Sequence, residues 1–528
     1  MNASIFNDVM GPVMRGPSSS HTAASHRIGE IIRQICSPLN GKVTVEFDRR
    51  GSLATTYEGQ GSSMGLICGL IGVSILNPDV INYKELAKEY GLDIEFLITT
   101  YKSSHPNTYK VAIVKEDGET FRFIAISTGG GMFELNSING FDVSIKGDYY
   151  ENLMCFDSKS TLKLQEIIQD LKSHVPHSKL ELISNNSGDF LISIKSRESI
   201  AEYIAEIIGN REDVIWKCQI YPVMPIIAGF DKKVSFSSIA EMLNIADEND
   251  FDLAELAVMY ESSLAGISSQ NVISLMNEIA LHIKNSITEG LKEKVYKDRI
   301  LSSQAHLIVK AAKENRITGQ GLNKVIAYVS AIMESKSSMG IIVASPTAGS
   351  AGVVGGAIYG VSEGYIEDEA SIVKAFMAAG IIGVFIADKY TFAAEMGGCQ
   401  VECGAASSMT AAALVQLMGG TARQAVNAAS MALQNQIGIV CDPVADRVEV
   451  PCLGKNIAAA ANAWCSANMS IAGYDPVIPL DEVINTMKSV GESMPCSLRC
   501  TGLGGLSVTP ASKRIYEELK ENKKKNQV

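Results

Sequence analysis

The chain has 528 residues, of which 46% are apolar and 20% are charged, so it can bury the cores of about two to four domains. Its formal net charge of −12 at pH 7 excludes a nucleic-acid partner bound through a basic face. The N-terminus lacks the pattern of a signal peptide, and the apolar stretches at 65–76 and 375–387 are shorter than the roughly 20 residues that cross a membrane. Eleven cysteines in such a chain indicate a reducing compartment. We therefore predict a soluble cytoplasmic protein with neither a nucleic-acid nor a membrane partner.

Residues 1–149 mix short β-type runs with helical ones. Runs rich in Val, Ile and Phe at 42–48, 94–99, 111–115 and 121–126 predict strands. The apolar run at 63–76 predicts a buried helix. This region is predicted to be an α+β N-terminal domain.

Residues 150–225 show a more regular order of elements. Strands are predicted at 152–156, 179–184, 190–195 and 214–223, and helices at 160–173 and 199–208. This βαββαβ order is typical of ferredoxin-like and small-molecule-sensing regulatory modules. A purely structural spacer has the same order, so both interpretations stay open.

A candidate linker at 225–231 separates this module from a different kind of sequence. Helical periodicity follows at 237–243, 252–260 and 272–291. Residues 340–475 are rich in Ala, Gly and Ser, which lets helix backbones approach closely. Residues 232–518 are therefore predicted to form a largely all-α C-terminal domain, and the chain as a whole to be multidomain.

Three loops combine glycine with polar side chains. The segment Gly-Pro-Ser-Ser-Ser-His-Thr at 16–22 holds more polar groups than the cap of a helix starting near Ala23 requires. Ser-Pro-Thr-Ala-Gly-Ser-Ala-Gly at 345–352 follows a strand-like run at 341–344 and lacks the lysine of a nucleotide-binding loop. Ser-Thr-Gly-Gly-Gly at 127–131 is the third. Turns of this kind bind anions through backbone N–H groups, although plain turns also explain the second and third loops.

Cysteines beside Gly or Pro turns form the fourth candidate feature. Cys399 follows a Gly-Gly pair, Cys441 opens Cys-Asp-Pro-Val-Ala, and Cys452 closes Val-Pro-Cys. Soft thiolates select zinc, Cu(I) or iron–sulfur centres. The C-x₃-C pairs 399/403 and 496/500 form a rival zinc-binding set, and the spacing alone leaves both groupings open. The other cysteines, at 36, 68, 155, 218 and 465, are expected in the core or on neutral surface.

Taken together, these motifs resemble those of the iron–sulfur-dependent bacterial L-serine dehydratases. The β part of that family begins with G-P-S-S-S-H-T, which residues 16–22 match letter for letter. Its α part carries P-T-A-G-S-x-G, G-C-Q and C-D-P-V-A-x-x-V-x-x-P-C, matched at 346–352, 398–400 and 441–452, and T-G-L-G-G-L follows at 501–506. The order resembles a fused form in which the β part precedes the α part. Family β parts often end in an ACT regulatory module, and residues 150–225 fit a divergent ACT-like copy.

The resemblance implies a 4Fe–4S cluster held by Cys399, Cys441 and Cys452, with the fourth iron free of protein thiolate. That open iron would act as a Lewis acid on the hydroxyl of L-serine while a base removes the α-proton. Aminoacrylate would then hydrolyse to pyruvate and ammonia, a step in amino-acid degradation and gluconeogenesis. The expected catalytic residues are Ser19, Ser20, His21 and Thr22. The expected substrate-binding residues are Ser18, Thr347, Gly349, Ser350, Gly129 and Gly130.

The chain departs from the family pattern at several positions. Family members usually carry H-G-S-x-A-x-T and then G-H-G-T-D, whereas this chain has Arg50 and Gln60 at the two histidine positions. Gln60 cannot act as a base, so proton abstraction falls to His21 or another group, or the substrate differs. Cys500 replaces a usual Glu, which makes Cys403 and Cys500 extra thiols near the expected cluster.

Two alternatives follow from these departures. The chain could be an iron–sulfur lyase for another β-substituted amino acid such as cysteine, or a non-enzymatic paralogue that senses a metabolite. A pyridoxal-phosphate dehydratase would need a Schiff-base lysine beside a phosphate loop, and no lysine has that context. We expect a homodimer, because the two halves of the site lie on different predicted domains.

Overall fold

The structure is a computed structural model that describes residues 3–158, 161–175, 177–209, 211, 213–227, 234–293, 295–296, 298–363, 365–366 and 368–525. The predicted linker at 225–231 lies in part outside these residues. Within them the chain has a mixed α/β N-terminal part and a helical C-terminal part. This agrees with the predicted multidomain architecture.

The N-terminal part is a six-stranded sheet with helices packed on it. Its elements are β1 (Val13–Met14), α1 (Ala24–Ile35), β2 (Lys42–Asp48), α2 (Leu53–Thr56), α3 (Ser62–Ile71), α4 (Tyr83–Glu89), β3 (Asp93–Thr99), β4 (Thr108–Val114), β5 (Thr120–Gly129), β6 (Met132–Ile138) and β7 (Phe141–Ile145). The strand order is β3-β2-β4-β5-β6-β7, with β2 parallel to β3 and the other pairs antiparallel. The strand predictions at 42–48, 94–99, 111–115 and 121–126 are confirmed, whereas β6 and β7 were not predicted.

Helix α1, which follows the first polar loop, packs closely against helix α3. A Cβ atom on Gly29 of α1 would lie 2.6 Å from Leu66 O, and one on Gly69 of α3 would lie 2.1 Å from His26 O. The two backbones therefore touch, and only glycine permits that approach. Helix α3 ends at Ile71 rather than at the predicted residue 76, because Gly72 takes a left-handed conformation with φ 73°.

The middle part has the predicted βαββαβ order. Its elements are β8 (Tyr150–Phe156), α5 (Thr161–His174), β9 (Lys179–Ser184), β10 (Phe190–Ser196), α6 (Ala201–Ile208) and β11 (Val214–Ile220). The antiparallel sheet has the order β11-β8-β10-β9, so the first and third strands are central. This topology is common to many modules, and the assignment to the ACT type stays a prediction.

The C-terminal part is a helical assembly. Its elements are α7 (Ile239–Asn249), α8 (Leu253–Ala265), α9 (Ser269–Gly290), α10 (Ala305–Lys313), α11 (Gln320–Ser337), β12 (Ile342–Val343), α12 (Ala351–Ser362), α13 (Glu369–Lys389), α14 (Ala394–Gly397), α15 (Cys403–Leu417), α16 (Ala422–Gln434), α17 (Cys452–Ile471), α18 (Leu480–Ser493) and α19 (Pro510–Lys525). Small residues dominate the contacts between α11, α12, α15 and α17. A Cβ on Gly356 of α12, for example, would lie 2.6 Å from the backbone nitrogen of Val329.

Helix α13 corrects one expectation from the sequence. It has 21 residues and is long and apolar enough to cross a membrane, so the expectation that every apolar stretch is too short is wrong here. However, 72% of its most apolar window is buried inside the protein, against α8, α12 and α15. Such burial is typical of the central helix of a soluble protein.

The N-terminal and helical parts are joined by backbone pairing. Strand β1 pairs antiparallel with β12, with Val13 opposite Val343. Each strand leads directly into one of the polar loops, at 16–22 and at 345–352. The pairing therefore brings the first loop beside the second.

Candidate active site

The first loop is itself helical. Residues Ser19–Ala23 form a π-helical turn that runs into α1, and neither Ser18 nor Ala23 makes a side-chain cap bond. The loop therefore does not act as a plain side-chain cap of this helix. The polar side chains are instead held inside the protein, where Ser20, His21 and Thr22 are at most 5% exposed. Their hydrogen bonds tie the loop to other segments.

His21 is held by a directed hydrogen-bond chain. Its Nε2 lies 2.8 Å from Thr56 Oγ1, and Thr56 donates its own proton to Ser52 O at 2.7 Å. Thr56 must then accept from Nε2–H, which leaves Nδ1 as the unprotonated nitrogen. Nδ1 lies 3.0 Å from Ser18 Oγ and 3.8 Å from Glu395 Oε1. Burial lowers the pKa of His21 to about 3, so the imidazole is neutral at physiological pH.

The second loop is joined to the first. The backbone N–H of Ala348 donates to Ser19 Oγ at 3.1 Å. Thr347 donates from its hydroxyl to Glu402 Oε1 at 2.7 Å and accepts from the backbone N–H of Ser350. A Cβ on Gly349 would lie 2.7 Å from Glu402 Oε1, so glycine makes room for this carboxyl. The predicted residues of both loops thus meet at one place.

The third loop, at 127–131, packs against the second loop and against the segment before α14. A Cβ on Gly129 would lie 2.6 Å from the backbone nitrogen of Ala393, and one on Gly130 would lie 3.2 Å from Pro346 O. Thr391 donates to the carbonyl of Thr128 at 3.0 Å. The glycines therefore serve close packing between the sheet and the helical part, and their role in binding substrate stays a prediction.

Five buried cysteines lie together beside these loops: Cys399, Cys403, Cys441, Cys452 and Cys500, each at most 7% exposed and free of disulfides. The thiol of Cys399 contacts those of Cys403 and Cys441, and Cys441 in turn contacts Cys500. The ligand atoms of Cys399, Cys441 and Glu402 all lie within 4.8 Å of one another. Cys496 is exposed, so the rival zinc set of two C-x₃-C pairs is not assembled.

Lys455 places a positive charge beside Cys399. Its Nζ lies 3.9 Å from Cys399 Sγ and 2.8 Å from Asp442 Oδ1. Burial lowers the pKa of Lys455, but the Cys399 thiolate and Asp442 outweigh burial and raise it overall. Contacts with Cys403 and Cys441, together with Lys455, lower the pKa of the Cys399 thiol. Cys399 is thus prepared to act as a thiolate ligand.

Lys336 is a second lysine near these cysteines. Its side chain is fully buried on α11, and its ammonium donates to Val448 O. Burial lowers the pKa of Lys336, whereas the nearby Cys452 raises it. Cys452 lies outside the tight group around Cys399, and burial raises the pKa of its thiol. Glu402 has a pKa of about 8, raised first by burial and then by the charge at Cys399.

The substituted family positions also reach this thiol cluster. Gln60 Nε2 lies 3.9 Å from Cys500 Sγ, and Ser52 Oγ donates to Cys500 O at 3.2 Å. The backbone N–H of Cys500 donates to Cys441 O at 2.9 Å. The N-terminal part therefore closes the thiol cluster from one side, with Gln60 pointing at it.

Several site residues were not predicted from the sequence. Glu395 and Glu402 flank Cys399 within the run E-M-G-G-C-Q-V-E, so their position in that motif was a usable signal. Asn456 donates to Gly349 O at 2.7 Å and to Cys452 O at 2.8 Å, linking the second loop to a cysteine. Lys336 had no local signal, because a lysine in an amphipathic helix is usually solvated.

The donor set fits an iron–sulfur cofactor. Several buried thiols, none in a disulfide, converge with two lysines that offset negative charge. Soft sulfur ligands of this kind favour iron–sulfur, zinc or Cu(I) over hard cations. Enclosed polar loops beside buried thiols thus fit an enzyme that uses a metal cofactor.

Comparison with known proteins identifies the family. The family model described as serine dehydratase alpha chain matches residues 237–507. The L-serine dehydratase alpha chain of Peptoniphilus asaccharolyticus is 35% identical over 284 residues, covering 53% of this chain and 97% of that protein. The probable L-serine dehydratase alpha chain of Bacillus subtilis is 32% identical, covering 54% of this chain and 95% of that protein. The chain belongs to the serine dehydratase alpha-chain family.

A third relative covers the N-terminal part as well. L-serine dehydratase 1 of Escherichia coli K12 is 24% identical over 505 residues, covering 93% of this chain and 96% of that protein. The separate alpha chains align with about half of this chain, whereas the Escherichia coli protein aligns with nearly all of it. This chain therefore joins the β and α parts in one polypeptide.

Proposed function

We propose that the protein is an L-serine ammonia-lyase that converts L-serine to pyruvate and ammonia. The observation that carries the proposal is the junction of the 16–22 loop, through Ser19 and Ala348, with the loop whose Thr347 holds Glu402 beside Cys399. Family membership supplies the reaction, and the junction brings this chain's matching motifs into one enclosed site.

Cys399, Cys441 and Cys452 would hold three irons of a 4Fe–4S cluster. When bound, the cluster supplies a Lewis-acidic open iron toward the leaving hydroxyl of the substrate. Lys455 and Lys336 reduce the charge that the thiolates build up in a dry environment. The polar loops at 16–22 and 345–352 exclude water from the site, since their polar residues are nearly all buried.

His21 is the proposed acceptor of the α-proton. Its Nδ1 carries the lone pair, which accepts a hydrogen bond from Ser18 Oγ in this structure, so the Ser18 hydroxyl must turn away before Nδ1 takes the proton; Thr56 fixes the ring through Nε2. Glu395, 3.8 Å from Nδ1, would stabilise the imidazolium that forms. Loss of the α-proton and of the β-hydroxyl, as water, leaves 2-aminoacrylate, which takes up water to give pyruvate and ammonia. In this scheme Gln60 donates a hydrogen bond to Cys500 and does not act as a base.

The remaining groups of the first two loops would orient the substrate. Ser18, Ser19, Ser20 and Thr22 present hydroxyls, and Thr347, Gly349 and Ser350 form a turn with backbone N–H groups near Glu402. Gly129 and Gly130 support this turn from the sheet. A cytoplasmic location, a homodimer and an ACT-type regulatory role for residues 150–225 are further parts of the proposal.

A second candidate, an iron–sulfur lyase for another β-substituted amino acid such as cysteine, is favoured by one observation. Gln60 faces the thiol of Cys500 where the family has a histidine and a glutamate, so the polarity around the leaving group differs.

A substrate panel separates the two functions. Anaerobically purified protein, reconstituted with iron and sulfide, is incubated with L-serine, L-threonine, D-serine and L-cysteine. The proposal expects pyruvate fastest from L-serine. Faster pyruvate formation from L-cysteine would favour the second candidate, and no turnover of any of them with an intact cluster spectrum would leave only a sensor role.

A further inference from the structure

The loop that carries two of the proposed cluster ligands is tied to a separate segment before α10. We call residues 441–452 the cysteine loop and residues 298–301 the strap. Asp298 of the strap forms an ion pair with Arg447 of the cysteine loop, through a charge-assisted hydrogen bond. The side chain of Arg447 is 13% exposed, so solvent screens this pair only in part.

A second ion pair between the two segments lies deeper. Arg299 Nε lies 3.6 Å from Glu449 Oε2, and the two side chains are 4% and 6% exposed. The carboxylate of Glu449 also accepts hydrogen bonds from the backbone N–H groups of Ile300, at 3.2 Å, and of Leu301, at 3.1 Å. Glu449 therefore contacts three consecutive residues of the strap, and removing a partner from such a buried charge is costly.

Little space remains between the strap and the cysteine loop. Residues of both segments and of α11 leave a cavity of only about 10 Å³, which is close to the smallest volume that holds one water molecule. Leu453, which directly follows Cys452, lines this cavity. Lys336 of α11 contacts the same loop, since its ammonium donates to Val448 O. The cysteine loop is thus fixed both by the strap and by α11.

The cysteine loop needs such support because part of its backbone is strained. Ala445 and Asp446 have φ values of 50° and 56°, a left-handed conformation that is unfavourable for residues other than glycine. Such residues persist only where their surroundings over-determine them. Further along the loop, Glu449 O accepts a hydrogen bond from the backbone N–H of Leu453, in the first turn of α17. The residue that binds the strap by its carboxylate therefore also anchors, by its carbonyl, the turn that carries Cys452.

Arg447 and Glu449 lie outside the residues that define the family motif. In the pattern C-D-P-V-A-x-x-V-x-x-P-C they fall on positions that the motif leaves open. The motif therefore assigns them no role, and their contacts with the strap follow from this chain's own sequence.

We propose that the strap positions Cys452 for the cluster, with Arg447 and Glu449 as the positioning residues. The inference rests on the proposed function only in taking Cys452 as a ligand of the cluster. Cys452 lies outside the tight group of thiols around Cys399, so its position depends on its own turn. Loosening the strap should therefore expose Cys452 and speed the loss of iron.

The test is the alkylation rate of each cysteine in the full-length protein before reconstitution, measured by iodoacetamide labelling and mass spectrometry. Labelling of a buried thiol follows local opening, so the rate at Cys452 reports how firmly its turn is fixed. Arg447→Met and Asp298→Asn should each label Cys452 roughly 2- to 5-fold faster than wild type does. Glu449→Gln should label it roughly tenfold or more faster, because Arg299 is left buried without its counter-charge.

Three readouts distinguish positioning from a general loss of stability. Cys36, fully buried in the N-terminal part, should label at the wild-type rate in every variant. The double variant of Asp298→Asn and Arg447→Met should label Cys452 no faster than the faster single variant, because both changes remove the same ion pair. Arg423→Met is the matched control, since it breaks an exposed ion pair of α16 and should leave Cys452 labelling unchanged.

Iron release from the reconstituted protein provides a second measurement. EDTA should remove iron from Arg447→Met roughly 2- to 5-fold faster than from wild type. Wild-type labelling of Cys452 in Arg447→Met and Glu449→Gln, or an equal rise at Cys36, would overturn the role of the strap even if L-serine gives pyruvate. No pyruvate from L-serine, with the expected labelling pattern, would overturn the ammonia-lyase and keep the strap.

Discussion

Replacing Lys455 with methionine tests whether its charge stabilises the thiolate at Cys399. The ammonium lies 3.9 Å from Cys399 Sγ, and its side chain is 19% exposed, so screening by solvent is limited. Methionine preserves most of the apolar stem and removes only the charge and three donors. The change therefore isolates the electrostatic contribution.

The expected magnitude follows from that distance. Two unit charges about 4 Å apart attract by about 4 kcal/mol at an effective dielectric constant of about 20. Asp442, 2.8 Å from the ammonium, already neutralises part of this charge, and the partial exposure reduces it further. A net loss of about 1–2 kcal/mol remains, which is roughly a 5- to 30-fold decrease in iron affinity.

The assay is a chelator titration of the anaerobically reconstituted protein, followed by the visible iron–sulfur absorbance. The chelator concentration that removes half of the iron should fall roughly 5- to 30-fold in Lys455→Met. Lys488→Met, in a cleft between the N-terminal sheet and α18, is the matched control and should titrate as wild type does. An unchanged midpoint in Lys455→Met would refute the electrostatic argument.

Two further predictions concern packing and pH. Gly349→Ala would place a methyl group 2.7 Å from Glu402 Oε1, and should cost about 1–3 kcal/mol and most of the L-serine turnover, whereas Gly454→Ala, with open space around it, should leave both near wild type in denaturation and pyruvate assays. Burial raises the pKa of Glu151 to about 8 from 4.5, so the folded protein holds an extra proton between these pH values, and this group should destabilise the fold progressively as pH rises from about 4.5 to 8. Glu151→Gln should flatten that dependence in denaturant midpoints measured at pH 5 and pH 8, and an equally steep dependence in the variant would count against this origin.

The sequence patterns predicted most of the local structure. Alternation located β2 and β9 to the residue, and the small-residue composition at 340–475 indicated the close helix contacts now visible around Gly356. The β6–β7 hairpin was missed because its strands mix apolar and polar residues, although its turn, Asn139-Gly140, is a strong hairpin signal with a positive φ at both residues. The end of α3 was missed because one left-handed glycine stops an otherwise apolar run.

The site was predicted less completely than the fold. The motifs located the three loops and the cysteines, but what joins them, such as the Ala348–Ser19 hydrogen bond, depends on β1 pairing with β12 across more than 300 residues. Lys336 gained meaning only through burial, which no local pattern reports. The position of Cys500 against Cys441 likewise depends on the folded chain.

The most direct test of the account is the reaction itself. Anaerobic, iron–sulfide-reconstituted protein should convert L-serine to pyruvate and ammonia in equal amounts, and exposure to air should abolish both together with the cluster absorbance. Cys441→Ser should abolish both, while Cys465→Ser, at an exposed cysteine, should not. Undiminished pyruvate formation after the cluster is lost, or none with the cluster intact, would contradict the account.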